Sequence, residues 1–93
     1  MTVFAKDPAA TLDYSFDWSA WLAPGEVITT DSWAIEPSGA GAPTLGAKTV
    51  TGATHAVLVS GGTAGHRYRL SCHIETDAGR TAERSAAIRV MEV

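Results

Sequence analysis

The residues best equipped for chemistry are His55, His66 and His73, the single Cys72, and the carboxylates Asp13 and Asp17. A zinc site needs three or four of these ligand types converging on one point. Cys72 and His73 are neighbours in a strand-like run, so they point to opposite faces, and no histidine spacing repairs this. No metal site is expected. Asp13 and Asp17 share one face of a strand, but four residues at the strand rise separate them by about 13 Å. That is too far for a carboxylate pair working on one glycosidic bond, so they read as a solvated face. Ser60-Gly61-Gly62-Thr63 is glycine-rich but lacks the lysine and following helix of a phosphate cradle. It reads as a turn. No dinucleotide fingerprint or nucleophile elbow is present, and no nucleophile, base and orienting group can be assembled. The expectation is a non-enzyme without a cofactor.

The surrounding elements all read as β-structure. Leu12, Tyr14, Phe16 and Trp18 alternate with Asp13, Ser15, Asp17 and Ser19, which predicts a half-buried strand with its apolar row inward. Alternation breaks at Trp18-Ser19-Ala20-Trp21-Leu22, before the Pro24-Gly25 turn. Residues 26–36 are β-branched with Trp33, and their parity changes between Ile28/Thr30 and Trp33/Ile35, so a bulge or two abutting strands is expected near Asp31. Pro37 marks the end of this run, and residues 38–43 form a Gly/Ala/Ser/Pro loop. Thr44 to Thr51 reads as a weak edge strand, and Thr54 to Ser60 as a compact apolar one through Val57, Leu58 and Val59. His66 to Thr76 alternates cleanly with Tyr68, Leu70, Cys72 and Ile74 inward. Asp77-Ala78-Gly79-Arg80 is a hairpin turn, and the chain returns with Ala86, Ile88 and Val90 inward. About six or seven short antiparallel strands, with turns roughly every ten residues, predict an all-β sandwich of the immunoglobulin or fibronectin type.

Ninety-three residues suffice for one small domain with one core. We place it at residues 11–93, preceded by an arm at residues 1–10 that has no partner pattern of its own. There is no apolar run of 18 residues and no charged leader with an apolar segment behind it, so a soluble, non-exported chain is expected. With one cysteine no internal disulfide can form. A small domain without one fits a reducing interior or assembly into something larger. Cys72 shares parity with core residues and reads as a small buried hydrophobe. The net charge is −3, with six acids against Lys6 up to Glu36 and five arginines against four acids from His66 onward. Such asymmetry could steer the faces of neighbouring copies together. Nucleic-acid binding is not expected, because Glu75, Asp77 and Glu83 interrupt the arginines.

Binding would fall to the tryptophans and the arm. Trp18 continues the apolar row and reads as core. Trp21 lies past the alternation, where core and interface readings both stand, and Trp33 beside the bulge reads as core with interface as its alternative. In the arm, Phe4 could anchor on a neighbouring copy by strand addition or groove packing. Phe4, Lys6, Asp7, Trp21 and Trp33 are therefore the candidate interface residues.

Several short elements resemble a known family. Lys6-Asp7-Pro8, Leu12-Asp13-Tyr14, Phe16-Asp17-Trp18-Ser19-Ala20-Trp21-Leu22, Ser60 to Gly65 with Tyr68 and Cys72, and Gly79-Arg80-Thr81 with Glu83-Arg84-Ser85 resemble the phage fibre-tail adaptors, small virion proteins of tailed bacteriophages and prophages. The Lys-Asp-Pro and Asp-Trp-Ser-x-Trp-Leu elements are the more specific, and the 38–43 loop departs from the pattern. The resemblance implies a structural subunit, assembled in the bacterial host cytoplasm into the virion and present in several copies as a symmetric ring at the neck or tail. Its partners would be other virion proteins, with no nucleic acid and no membrane. Two alternatives are a minor capsid or decoration protein on the phage head and, from another class, a carbohydrate-binding module stacking sugars on Trp21 or Trp33.

Overall fold

A computed structural model describes residues 2–92 and contains seven strands and no helix among them. They are β1 (Thr2–Lys6), β2 (Thr11–Asp17), β3 (Ile28–Glu36), β4 (Thr44–Thr51), β5 (Thr54–Ser60), β6 (Arg67–Thr76) and β7 (Thr81–Val90). They form a four-stranded sheet in the order β1-β7-β6-β3 and a three-stranded sheet in the order β2-β5-β4. The protein is an all-β sandwich, and β4 is an edge strand as expected.

Clean alternation makes β6 and β7 the centre of the larger sheet. Leu70, Cys72 and Ile74 on β6 and Ala86, Ile88 and Val90 on β7 are buried. From the opposite sheet, Tyr14, Val57 and Val59 close one half of the core against Tyr68, Leu70, Ile88 and Val90. Trp18, Cys72 and Ile74 form the other half, and Trp33 packs against both. Burial pushes the Cys72 thiol up to about 12, so it stays protonated and inert at neutral pH. Tyr68 also serves the 38–43 loop, since its hydroxyl donates to the Gly41 carbonyl at 3.2 Å and Thr63 Oγ1 donates to the same oxygen at 3.0 Å. Gly41 has φ +81° and a Cβ there would lie 2.6 Å from Thr63 Oγ1, so only glycine fits.

A bulge is present as expected, and three details differ from the sequence reading. The bulge falls between Ile28 and Thr30, before Asp31, and this brings Asp31, Trp33 and Ile35 to the inner face with Ile28. Leu12 is 40% exposed although it shares parity with buried Tyr14, because β2 is an edge strand and the groove between it and β1 leaves this side open. Leu58, read as part of an apolar strand, points outward at 39% exposure between inward Val57 and Val59. Finally, residues 2–6 of the expected arm are paired: β1 runs parallel to β7 from Thr2 opposite Ala86 to Lys6 opposite Val90, so the sandwich is not wholly antiparallel. Met1 lies outside the described residues. The strand was hidden because five residues carry too little alternation, and one of its inward positions is a lysine.

Lys6 is fully buried. Its ammonium donates to the carbonyls of Asp7 at 3.0 Å and Gly61 at 2.8 Å, joining β1 to the turn after β5. Burial lowers its pKa, with the Asp7 charge opposing that shift. Lys6→Ala removes the stem and leaves both carbonyls without this donor. A loss of about 2–3 kcal/mol is expected in urea unfolding, with the slope unchanged.

Candidate functional site

The five candidate interface residues divide between fold-building and surface roles. Lys6 is the buried plug just described and offers nothing at the surface of the single chain. Asp7 shapes the β1–β2 connection, with Oδ1 accepting from the Ala9 amide at 2.8 Å and its carbonyl accepting from Ala10 at 3.0 Å. Trp33 is half-buried, stacked on Phe16 with ring centroids 5.8 Å apart.

Trp21 is half-buried at one end of the sandwich, where the broken alternation after Trp18 becomes a turn: the amides of Trp21 and Leu22 both donate to the Trp18 carbonyl. Trp18 and Trp21 meet edge to face at 5.8 Å. Two arginines cover their faces, Arg80 over Trp21 at 4.0 Å and Arg84 over Trp18 at 4.3 Å. Arg84 also donates to the Asp17 carbonyl at 2.7 Å. Arg80 forks onto Glu26, with Nε 2.9 Å from Oε2 and Nη2 bonded to Oε1, while Nη2 also donates to the Trp21 carbonyl. Thr76 Oγ1 donates to Glu26 Oε2 at 2.6 Å. The 18–26 segment is thus clamped onto the β6–β7 hairpin.

Phe4 alone of the five presents an apolar surface in an open groove. It is 37% exposed on β1 and packs against Tyr14 on β2 with centroids 5.0 Å apart. A groove of about 320 Å³ runs between the two strands, lined by Phe4, Ala5, Leu12, Asp13, Tyr14 and Ser15. Exposed Val3, beside Ala87, points instead to the outer face of the larger sheet. β1 pairs only with β7 and β2 only with β5, so the outer edges of both strands are open on this side. The Tyr14 hydroxyl is buried with no hydrogen-bond partner among the described residues.

On the opposite flank, inward-facing Asp31 bridges the sheets. Its carboxylate accepts from Lys48 Nζ on β4 at 2.8 Å and lies 2.8 Å from His55 Nδ1 on β5. Burial alone would raise the Asp31 pKa, but the hydrogen bonds from His55 and Lys48 outweigh it and hold the carboxyl below its ordinary value. With only one carboxylate and one imidazole converging, this is a structural cross-link between sheets. No group of three or more metal-ligating side chains is found among the described residues.

Sequence reasoning did not single out Leu12 as a surface residue, since its exposure depends on β2 standing at a sheet edge. Arg84 and Asp31 were also passed over and His55 was weighed only as a metal ligand, although parity marks all three as inward: Arg84 is in step with Ala86 and Ile88, Asp31 with Trp33 and Ile35, and His55 with Val57 and Val59.

The profile of the family described as podophage GP4 fiber-tail adaptor protein gp77 matches residues 6–89. The chain belongs to that family. No curated protein matches it.

The Arg80, Thr76 and Ala23 hydrogen bonds lower the Glu26 pKa from 4.5 to about 2. A depressed carboxylate adds stability that is present above its unfolded value and lost as pH falls through the folded one. Glu26→Gln should lower the melting temperature at pH 7 and flatten its decline between about pH 4.5 and pH 2. The part of the decline owed to Asp17 and Asp31, whose values are also lowered, remains.

Proposed function

We propose that this family member is a non-enzymatic structural adaptor of a phage virion, present in several copies at the neck or tail. It is assembled in the host cytoplasm and joins other virion proteins by protein contacts alone. The strand order, four against three with β1 beside β7, supports assigning the sandwich to the immunoglobulin-like type.

The observation that carries the contact surface is the state of the four strand edges. Open edges invite pairing with other chains, and inward-pointing charged residues discourage it. Three edges carry such a charge: Lys6 on β1, Asp31 on β3 and Lys48 on β4. The β2 edge carries none, its inward residues being Leu12, Tyr14 and Phe16. A partner strand added to β2 would widen the three-stranded sheet to four, matching its mate and covering Leu12 and Phe4. The occupant we assign is therefore an extended segment of another virion protein, with apolar side chains on alternate residues entering the groove.

The carbohydrate reading needs an open tryptophan face. Arg80 and Arg84 occupy those of Trp21 and Trp18, and Phe16 stacks on Trp33.

A small fused tag located by electron microscopy on purified particles tests the position. Signal confined to the neck or tail is expected, signal over the head would move the protein to decoration, and absence from particles would sink the structural reading. Leu12→Asp puts a charge on the inner row of β2 at an already exposed site. It should leave the melting temperature within a few degrees while cutting incorporation at least about tenfold, the effect of losing an apolar anchor worth about 1.4 kcal/mol or more.

A further inference from the structure

The outer face of the β1-β7-β6-β3 sheet carries a charge pattern that is complementary to itself. Its centre is Ser71 opposite Ser85, joined through their hydroxyls at 3.0 Å. Moving from that centre toward one end, the outward residues are Arg69 with Ala87 and then Arg67 with Arg89. Toward the other end they are His73 with Glu83 and then Glu75 with Thr81. Arg67, Arg69 and Arg89 are exposed, and none has an ion-pair partner among the described residues. Arg67 stands directly across from Arg89, an arrangement of like charges that weakens a strand pair. Glu36 lies opposite Arg69 on β3, but no ion pair joins them.

Cross-strand like charges left unpaired on an exposed face are open to an acidic surface from outside. The same face supplies one. Arg67 lies four residues to one side of Ser71 and Glu75 four residues to the other, about 13 Å each way. A two-fold axis in the plane of the face, across the strands at Ser71 and Ser85, reverses strand direction and lays β6 over β6 of a second copy. Arg67 of each copy then meets Glu75 of the other, while Arg69 faces His73 with Glu83 one strand to the side. Side chains at the centre are short, with Ser71 at 7% and Ala87 at 2% exposure. The charged groups therefore stand highest and meet first as the sheets approach to about 10 Å.

We propose that two copies of this protein associate through this face as an isologous pair, held in register by reciprocal Arg67–Glu75 contacts, with Glu83 of each copy diagonal to Arg69 of the other. A parallel arrangement would set arginine on arginine, so the charges fix the antiparallel one. This deepens the several-copy part of the adaptor reading and rests on it only there. The face amounts to roughly 570 Å² per copy, from four strands about 4.8 Å apart and about nine residues at about 3.3 Å. That is below the usual share of about 800 Å² in a standard interface. The pair is accordingly weak, sensitive to salt, and reinforced when many copies gather on a particle.

Sedimentation velocity at roughly 0.5 mM protein tests it, in low salt and again in about 1 M salt, where screening falls to about 3 Å. The expected result is a dimer in low salt and a monomer in high salt. Arg67→Glu places Glu over Glu75 of the second copy, and Glu75→Arg places Arg over Arg67; each alone should raise the dissociation constant at least about tenfold. Mixed in equal amounts, the two variants should form a heterodimer, because each reversal answers the other. Both positions are exposed, and Arg67→Glu also relieves the repulsion from Arg89, so thermal melting should show both variants folded. A wild-type monomer in low salt would overturn the proposal, as would variants that dimerise like wild type or a mixture that stays monomeric. The particle position is measured separately, so these outcomes leave the adaptor reading standing, while a dimer on a protein absent from particles would do the reverse.

Discussion

An open two-sheet sandwich has four strand edges and a single thin core, and nearly every unusual residue here answers one or the other. The edges would be sticky and the core leaky if apolar residues filled every inward position. Instead Lys6, Asp31 and Lys48 sit on the inner faces of three edge strands, with the side chains satisfied before they reach the centre: carbonyls for Lys6, and one another with His55 for the pair between β3 and β4. A buried polar group without partners would cost several kcal/mol, so these charges belong at the flanks, where main-chain oxygens or a facing strand can reach them. That location is also where they forbid a further strand from docking flush.

The end of the sandwich near Trp18 meets the same problem with aromatic mass. Trp18 is the largest fully buried side chain, and its face is covered by Arg84, an inward residue whose guanidinium lies over the indole instead of extending to water. Trp21 and Arg80 repeat the arrangement one layer outward, and Glu26 anchors Arg80. Each cation–π contact contributes only about 0.5–1 kcal/mol at such exposed sites. Their combined effect is to hold the irregular 18–26 segment against the hairpin without a helix or a disulfide. Cys72, beneath this cap, is accordingly a buried hydrophobe with its thiol protonated.

Strand identity was legible wherever alternation was undisturbed. β6 shows this best, since every second residue from Tyr68 to Ile74 is buried and the intervening side chains are charged or polar. The hairpin after Thr76 and the edge status of β4 were legible for similar local reasons. β1 was not, because its pairing with β7 joins the two ends of the chain and leaves no local signal. Leu12 was misplaced because parity gives the face of a strand but not its place at an edge, where the groove beside β1 leaves the side chain open. The inward charges were visible in principle: parity assigns Asp31, His55 and Arg84 to the core side, and only the habit of expecting apolar residues there hides them. Of the interface candidates, Phe4 was recognisable as an exposed aromatic on a short segment, whereas the burial of Lys6 required knowing that Gly61 faces it.

The mismatch in sheet width explains why the two surfaces considered for contact do not compete. Strand addition at β2 extends the narrower sheet within its own plane, toward the side where Phe4 and Leu12 are uncovered. The Arg–Glu face belongs to the other sheet and presents outward along its normal, through β6 and β7. These directions are nearly perpendicular, and β7 lies between β6 and the groove strand β1. A partner strand accepted on one flank would therefore leave that face unchanged. Conversely, a copy held through that face still offers an unguarded β2 edge. For a chain of 93 residues with one core, division of contacts between two sheets lets a single small domain touch more than one neighbour without a second domain or a mobile linker.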